Sequence, residues 1–322
     1  MKQLKEILIL IDNKTSSKNQ CLGIVNALMK ELKRDIKVEI YNVDLGFSNK
    51  TPNFFIYFLL KFGLIKLCLN TLKPKPQLII SCGRITAPLN LILKKKFCSY
   101  SMHIMNPYLF YNDFDIILYP AHDKKINKQN IIQIIGSIVN EKNLILSKNE
   151  KIFFSNLLQI PKKKKIVSIL VGGDSKKKYS EFDIKSFVDL LKKIDDEKFY
   201  PCFLFSRRTS LLMKKKIYEE FQGKAYIWND EKINPYCFLI KKSDYFIVTA
   251  DSISMTSEAL VSEKPVYIYT PKNLKSKVNN FQSYLLNEKY TRNFSGEIRT
   301  FRKKIKLNNK IAKKILTKVS LV

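Results

Sequence analysis

Short apolar runs alternate with longer segments of mixed polarity through the first half of the chain. The runs predict strands, and the segments between them predict helices. The predicted strands are Ile7–Ile11, Val38–Tyr41, Leu78–Ser81, Ser99–Ile104, Ile116–Leu118 and Ile131–Ile135, with helices at about Cys21–Lys33 and Pro88–Lys95. Strands that alternate with helices indicate a mostly parallel sheet joined by right-handed crossovers.

The same alternation restarts near residue 150. The predicted strands there are Ile166–Val171, Cys202–Phe205, Ala225–Trp228, Tyr245–Val248 and Val266–Tyr269, with helices at Glu150–Leu158, Glu181–Lys193, Ser210–Phe221 and Tyr236–Lys242. The fold class is therefore α/β, and the length of 322 residues favours two domains. We assign residues 1–148 to the first domain and 149–303 to the second. Residues 304–322 contain a predicted helix, Asn308–Val319, that can fold back across the first domain.

The segment Pro52–Leu72 is the longest apolar stretch, and Lys61 and Lys66 interrupt it. It therefore lacks the roughly 18 unbroken apolar residues that a membrane span needs. Two interpretations stay open. The segment is either a core helix or a helix that lies on a membrane with its Phe and Leu side chains in lipid and its Lys side chains in water.

The formal net charge is +30, and the excess is almost all Lys spread along the whole chain. Compositional drift is the simplest explanation. The functional interpretation is attraction to an anionic membrane surface, where each basic residue contributes about 1 kcal/mol. No zinc-finger, RNP or basic-zipper signature is present, so we expect no nucleic-acid partner.

The six Cys show no CxxC pairing, and most lie in or beside apolar runs. This usage indicates a reducing compartment and predicts no metal site. The chain runs from Met1 directly into a predicted strand without a signal peptide. We therefore expect a cytoplasmic protein, peripheral on the inner face of the cytoplasmic membrane.

The segment from Val248 to Tyr269 carries the most chemical information. An apolar strand leads into the polar corner 249–252, which includes Asp251 and Ser252, and a helix begins among the Ser and Thr residues from Ser254 onward. A helix N-terminus rich in Ser and Thr attracts phosphate. Glu258, in or near the first turn, can accept hydrogen bonds from a ribose diol. This is how an open α/β sheet holds a nucleotide at the carboxyl ends of its strands.

Two further motifs follow earlier strands of the second domain. Gly172-Gly173 lets the backbone pass close to a ligand, and Asp174 or Ser175 can cap the next helix. The pair Arg207-Arg208 is suited to bidentate binding of a diphosphate. Because the carboxyl ends of parallel strands share one edge of a sheet, we expect these loops to converge with the segment after Val248.

Polar residues also follow the predicted strands of the first domain. They are Asp12, Gly83-Arg84, His103 and His122-Asp123. A His or Asp beside an acceptor hydroxyl can act as a general base, so Asp12, His103, His122 and Asp123 are candidates between which the sequence does not choose. Gly83 and Arg84 are expected on the acceptor side.

Several catalytic signatures are absent. There is no Walker A loop, no GxSxG elbow and no HExxH helix. No GxGxxG follows the first strand, which argues against NAD chemistry, and we expect no cofactor. The triplet Asp113-Phe114-Asp115 has the form of a metal-binding DxD motif, but Asp115 opens a predicted strand, so we interpret the triplet as structural.

These motifs, in this order, resemble the mitochondrial-fission Elm-type family, whose bacterial members include GtrOC-like glycosyltransferase-type proteins. The resemblance covers about residues 7–270 and is carried by residues 76–88, 103–123, 170–179, 205–209, 233–236 and 248–269. It implies a GT-B-like fold, with two Rossmann-like domains facing a central cleft. The donor nucleotide would lie on the second domain and the acceptor on the first, with no obligatory metal.

The residues that match the family's motif positions on the donor side are Gly172, Gly173, Asp174, Ser175, Arg207, Arg208, Asn234, Asp251, Ser252, Ser254 and Glu258. The chain departs from the family pattern in two places on the acceptor side. The stretch 13–18 after Asp12 lacks the usual glycine, and the usual Gly-Arg-Arg is reduced to Gly83-Arg84-Ile85.

The resemblance implies a GT-B glycosyltransferase. It would move a sugar from a nucleoside diphosphate or monophosphate sugar to a membrane-associated glycan or lipid, such as lipopolysaccharide core. The alternative, also implied by the resemblance, is a non-catalytic membrane-associated recruiting protein of the mitochondrial-fission type. An epimerase is disfavoured because the dinucleotide fingerprint is missing and no Tyr-x-x-x-Lys pair occurs in a recognisable setting.

Overall fold

The computed structural model describes residues 4–47, 51–65, 75–173, 182–229, 233–272, 274, 276–301 and 308–319. The chain forms two compact units. Unit 1 contains Met1–Asn140 and Lys306–Val322, and unit 2 contains Glu141–Ile305. The division falls a few residues before the predicted boundary at residue 148. Among the described residues, no helix combines the length and the apolarity needed to cross a membrane.

Unit 1 is built on one parallel sheet of six strands in the order β2-β1-β3-β4-β5-β6. Its elements are β1 (Glu6–Ile11), α1 (Thr15–Leu32), β2 (Lys37–Asn42), α2 (Asn53–Lys61), β3 (Leu78–Cys82), α3 (Thr86–Phe97), β4 (Tyr100–Ile104), β5 (Ile116–Pro120) and β6 (Ile131–Ile134). The central strands are apolar on both faces because helices cover both faces of the sheet.

Helix α2 is shorter than the sequence predicts. The predicted helix runs to Leu72, whereas α2 ends at Lys61, and residues 66–74 lie outside the described part of the chain. The helix ends because Gly63 adopts a left-handed backbone conformation with φ of 69° shortly after the last helical residue. Ile56, Tyr57 and Leu60 are buried, and α2 packs on α3. One face of the segment is therefore core, as one of the two open interpretations required.

Unit 2 repeats the architecture with a parallel sheet in the order β12-β11-β10-β7-β8-β9. Its elements are α4 (Lys148–Leu158), β7 (Lys165–Val171), α5 (Ile184–Leu191), β8 (Phe199–Phe205), α6 (Leu211–Phe221), β9 (Tyr226–Ile227), α7 (Tyr236–Lys242), β10 (Tyr245–Thr249), α8 (Ile253–Val261), β11 (Val266–Tyr269), α9 (Ser276–Asn287) and β12 (Arg292–Asn293). Helix α4 opens with a capping box, in which Ser147 and Glu150 exchange side-chain and backbone hydrogen bonds.

The C-terminal helix α10 (Asn308–Val319) belongs to unit 1 and packs on α1. Its apolar side chains Ile311, Ala312, Ile315 and Leu316 join the core that α1 forms with the sheet. The Lys313 Nζ atom also lies 3.7 Å from Oε1 of Glu31 on α1. The chain thus returns to its first unit after completing the second.

Candidate functional site

The strand order of unit 2 reverses between β7 and β10. From β7 the sheet continues through β8 to β9, and from β10 it continues through β11 to β12. In an open α/β sheet, ligands bind beyond the carboxyl ends of the strands at such a reversal, because the two following loops diverge and leave a crevice. The loops after β7 and β10 contain Gly172-Gly173 and Asp251, so sequence and topology indicate the same place.

A buried carboxylate joins these two loops. Asp251 Oδ2 accepts a hydrogen bond from the Gly173 amide at 3.1 Å, and Oδ1 accepts one from the Thr249 hydroxyl at 2.8 Å. The Gly172 amide in turn donates to Thr249 Oγ1 at 2.7 Å. The contact is so close that a Cβ on Gly172 would lie 1.8 Å from Asp251 Oδ1. Only glycine fits here, and the carboxylate rather than a ligand imposes that requirement.

This result corrects the predicted role of Asp251. The sequence assigned it to donor binding, but the side chain is completely buried and its oxygens are engaged by the loops on either side. A group in this position cannot reach a ligand directly. Asp251 is therefore a positioning residue that fixes the glycine loop.

The loop after β8 reaches the same glycines. Thr209 Oγ1 lies 2.9 Å from the Val171 carbonyl oxygen and 2.8 Å from that of Gly172. A Cβ on Gly173 would lie 2.5 Å from Cβ of Arg208. The glycine, arginine and Asp251 loops, which are far apart in the sequence, therefore converge at one edge of the unit 2 sheet as predicted.

The two guanidinium groups of this edge are available to a ligand. Arg207 and Arg208 are both exposed, and the described part of the chain gives neither of them an acidic partner. The predicted helix cap, Asp174 or Ser175, lies outside the described residues. The edge therefore presents two exposed positive charges beside the glycine loop, whose backbone is held by Asp251 and Thr249.

Helix α8 begins one residue before the predicted group of Ser and Thr residues. Ser252 is its N-cap, and its hydroxyl accepts from the Met255 amide at 3.3 Å. Ser254 is exposed in the first turn. Thr256 and Ser257 do not cap the helix, since their hydroxyls donate to the carbonyls of Ser252 and Ile253 one turn earlier. The first turn therefore keeps Ser252 and Ser254 as its polar side chains.

Glu258 lies in the second turn of α8 rather than in the first. Its carboxylate is half-buried and accepts a hydrogen bond from the hydroxyl of Tyr236 on α7. Burial raises the pKa of the Glu258 carboxyl, and the hydrogen bond from Tyr236 acts in the opposite direction. Burial and the neighbouring negative charge raise the pKa of the Tyr236 hydroxyl well above its ordinary value. Tyr236 thus holds the carboxylate in one orientation.

Asn234 introduces helix α7. Its side chain is exposed, and its Oδ1 accepts from the Tyr236 amide at 2.9 Å. This contact orders the start of the helix that carries Tyr236. Asn234 therefore contacts Tyr236, the residue that binds Glu258. Among the described residues, no hydrogen bond joins Asn234 to Glu258 itself.

Unit 1 has an equivalent reversal between β1 and β3, and the same kind of contact occurs there. The carboxylate of Asp12, after β1, lies over Gly83, after β3, so that a Cβ on Gly83 would lie 2.7 Å from Asp12 Cγ. Lys14 forms an ion pair with Oδ2 of this carboxylate. Asp12 Oδ1 is buried and has no hydrogen-bond partner among the described residues.

His103 is not placed as a base, which corrects its prediction. It lies inside β4 and is completely buried, with Nδ1 2.7 Å from the hydroxyl of Ser81 on β3. Asn90 of α3 donates to the same hydroxyl at 2.6 Å. Burial lowers the pKa of His103 to about 3. The imidazole is a neutral core group that cannot exchange protons with a substrate.

The other residues predicted in unit 1 differ in their surroundings. His122 Nε2 is 3.9 Å from Asp123 Oδ1; His122 is buried, and Asp123 is half-buried. Arg84 donates to the Thr51 carbonyl at 2.8 Å and lies 5.6 Å from the Tyr108 ring. Asp115 pairs with Lys94 at 2.9 Å and accepts from the Ser101 amide. These contacts of Asp115 agree with a structural interpretation of the DxD triplet.

Sequence reasoning missed three residues that organise the unit 2 edge. Thr249 and Thr209 tie the glycine loop to its neighbours, and Tyr236 orients Glu258. Thr249 and Thr209 were visible as hydroxyl residues in loops that follow apolar strands. Nothing in the sequence reveals which side chain or carbonyl each hydroxyl meets, because that depends on the register of the strands.

The chain matches a family model described as Mitochondrial fission ELM1 over residues 17–319. It is 31% identical to Uncharacterized protein RP120 of Rickettsia prowazekii (strain Madrid E), and the match covers 91% of each chain. It is 25% identical to Mitochondrial fission protein ELM1 of Arabidopsis thaliana, over 73% of this chain and 61% of the plant protein.

Solved structures resemble the chain over nearly its whole length. The UDP-GlcNAc 2-epimerase from Methanocaldococcus jannaschii has a TM-score of 0.56 at 14% identity, over 98% of this chain and 100% of that one. The glycotransferase of kitacinnamycin has a TM-score of 0.55 at 9% identity, over 100% and 91%. At these identities the likeness shows the fold alone, and it confirms the predicted GT-B-like α/β class. One of these structures is named an epimerase and the other a glycotransferase, so the fold by itself does not separate the two activities.

Proposed function

The chain belongs to the mitochondrial fission ELM1 family, and we propose on that premise that it is a glycosyltransferase that uses a nucleotide-sugar donor. The observation that carries the proposal is the convergence of three loops at the strand-order reversal of unit 2. The loops combine a close-passing backbone, two exposed guanidinium groups and a helix N-terminus. This is a combination suited to a diphosphate.

In this proposal the donor lies along the unit 2 edge. Glu258 accepts hydrogen bonds from the ribose hydroxyls. The amides at the start of α8, with Arg207 and Arg208, stabilise the negative charge that develops on the leaving nucleotide. The acceptor oxygen bonds to the anomeric carbon as the bond from that carbon to the phosphate oxygen breaks. Such electrostatic stabilisation of a leaving group requires no metal.

The proton of the acceptor hydroxyl passes to a general base. With His103 excluded by its place inside β4 and by its lowered pKa, the candidates are Asp12 and the pair His122–Asp123. We propose a membrane-associated glycan or lipid as the acceptor, such as lipopolysaccharide core, and a cytoplasmic protein peripheral to the inner face of the cytoplasmic membrane. The structural relative that is an epimerase makes a second reaction of the same donor worth testing in the same assay.

The experiment is a calorimetric screen of nucleoside diphosphate and monophosphate sugars. Glu258→Ala is expected to weaken binding of the active donor by about 1.5–3 kcal/mol, the usual size for a hydrogen bond to a charged group. Glu219→Ala is the matched control, because Glu219 is an exposed acid of the same unit whose ion pairs, in the part of the chain that the structure describes, are with Lys215 and Lys216. Equal affinity of the wild type and Glu258→Ala for the donor would refute the assigned role.

The same screen separates the alternatives. A non-catalytic recruiting protein of the mitochondrial-fission type would bind no donor at all. An epimerase would convert its donor to a second nucleotide sugar without any acceptor, whereas a transferase releases free nucleotide only when the acceptor is present. Product analysis by chromatography, with and without acceptor lipid, therefore distinguishes the three.

A further inference from the structure

Unit 1 carries a cluster of exposed aromatic side chains, which we call the aromatic surface. Its members are exposed by 40–69% and comprise Phe54, Phe55, Phe58, Phe62, Tyr108 and Phe110. Leu64, exposed by 71%, continues it. Single exposed apolar residues are common on proteins, but a contiguous group of this kind marks an interaction site.

Helix α2 supplies most of this surface and has two apolar faces. Ile56 and Leu60 face the core, and the opposite face bears Phe54, Phe55 and Phe58. The Phe58 and Phe62 rings stack at 6.3 Å between centroids. A helix on a water-exposed surface normally places polar residues on its outer face. The outer face of α2 instead has the composition of a helix that contacts an apolar phase.

The loop after β4 adds two rings to the same surface. The Phe110 ring contacts that of Tyr57 on α2 at 5.0 Å, edge to face. Tyr108 and Phe110 have φ of 55° and 33°, in the left-handed region that bulky residues rarely adopt. The Asn106 side chain accepts from the Tyr108 amide at 2.8 Å, and Asn53 donates to the Pro107 carbonyl at 2.7 Å. These hydrogen bonds thus stabilise an unfavourable backbone conformation in which the Tyr108 and Phe110 rings are exposed.

Cationic groups border the rings. The Lys61 ammonium lies 5.9 Å from the Phe62 ring, the Arg84 guanidinium lies 5.6 Å from the Tyr108 ring, and Lys95 donates to the Tyr57 hydroxyl at 3.4 Å. Residues 51–65, 84–97 and 105–112, which build the surface, contain no Asp or Glu; Asp113 and Asp115 follow the last of them, and Asp115 pairs with Lys94. Aromatic rings bordered by more cations than acids match the interface of an anionic bilayer, where rings enter the headgroup layer and cations meet lipid phosphate.

We propose that the aromatic surface docks unit 1 onto an anionic lipid membrane. A second copy of the chain is a poorer occupant, because a symmetric contact would bring the same cations against each other in a chain of formal charge +30. The inference rests on the proposed function in one respect: Arg84, on the expected acceptor side, contacts the surface, so docking would bring a lipid-linked acceptor to unit 1. Membrane binding itself requires no donor.

The experiment measures co-sedimentation with vesicles of phosphatidylcholine containing phosphatidylglycerol, and with phosphatidylcholine alone. The wild type is expected to bind the anionic vesicles and to lose binding as salt is raised. Phe58→Gln with Phe62→Gln, which leaves the charge unchanged, should reduce the partition coefficient by about tenfold or more. Lys61→Gln with Lys95→Gln should reduce it by about fivefold per lysine.

Matched controls come from unit 2. Ile145→Gln with Ile152→Gln removes two apolar residues that are exposed by 66% and 52%, and Lys162→Gln with Lys163→Gln removes two exposed lysines. Both control pairs should bind vesicles like the wild type. All the substituted side chains are exposed, and circular dichroism with thermal unfolding verifies that each variant is folded.

Three results would overturn the inference. They are a wild type that does not bind anionic vesicles, a Phe58/Phe62 variant that binds as well as the wild type, and a concentration-dependent dimer in sedimentation velocity that this variant abolishes. Vesicle binding without any donor binding would leave the inference standing and remove the proposed function. Donor binding without vesicle binding would do the reverse.

Discussion

Replacing Gly172 with alanine would place a methyl carbon against the carboxylate of Asp251. The added Cβ would lie 1.8 Å from Oδ1 and 2.4 Å from Cγ, so the carboxylate would have to move by more than an ångström. That movement breaks the hydrogen bonds from Gly173 and Thr249 to a buried carboxyl group. Each hydrogen bond contributes about 0.5–1.5 kcal/mol, and overpacking costs about 1–3 kcal/mol. We expect Gly172→Ala to destabilise unit 2 by about 2–6 kcal/mol, a large part of a typical domain's stability.

The assay is urea unfolding followed by tryptophan fluorescence. Trp228 is the only tryptophan of the chain and follows β9, so its emission reports on unit 2. Gly223→Ala is the matched control. Gly223 has φ of 77° and no atom within 4 Å of an added Cβ, so it should cost only the left-handed backbone penalty of about 1–2 kcal/mol.

A double-mutant cycle with Asp251→Ala tests the cause. If the carboxylate creates the clash, Gly172→Ala should cost less than about 1 kcal/mol once Asp251 is alanine, which gives a coupling energy of several kcal/mol. A cost for Gly172→Ala that is the same in both backgrounds, or that does not exceed the Gly223→Ala control, would refute the reasoning.

Three further predictions concern charge. Glu258→Gln should raise the melting temperature at pH 8 but not near pH 4. The pKa of Glu258 is raised in the folded protein, so burying its ionised form costs stability only above the pKa of the unfolded state. An equal difference in melting temperature at both pH values would contradict this prediction. Arg207→Ala with Arg208→Ala should weaken donor binding by about 10- to 100-fold and flatten its salt dependence in calorimetry, and unchanged salt dependence would count against a diphosphate contact. The lowered pKa of His103, about 3, makes the unfolded chain take up the proton first as pH falls below about 6.5, so stability is lost between about pH 6.5 and 3. His103→Gln should be less stable at pH 7 but should lose less stability over that interval, and parallel pH profiles in circular dichroism would refute this.

Much of the fold could be predicted because buried parallel strands are continuous apolar runs. The bounds of β11, α7 and α10 agree with the sequence pattern. Helix α9 was missed: its sequence is mostly polar, although Val278, Phe281 and Leu285 recur at helical spacing and the last two are buried. Helix α2 was predicted too long, because an apolar run does not show where a glycine turns the backbone into the left-handed region.

The location of the candidate site could be predicted from the sequence more readily than the role of each residue in it. Loops after successive parallel strands must share an edge, so the convergence of Gly172 and Arg208 follows from topology. The direction of each side chain does not. His103 lies within β4, where alternate side chains point to opposite faces, and its ring contacts Ser81 and Phe114 in the core instead of reaching the edge. Asp251 likewise points under the glycine loop.

The packing of a carboxylate against a glycine, in both units, bears on how catalysts and scaffolds within this family can be told apart. A descendant that had abandoned chemistry would still need Gly172 with Asp251, and Gly83 with Asp12, merely to stay folded. The presence of these two glycine–aspartate pairs in a family member therefore does not indicate whether that protein is catalytically active. The fold does not depend in this way on Arg207, Arg208 and Ser254. In a protein that no longer binds a substrate, these three residues would therefore be the first to be replaced by mutation.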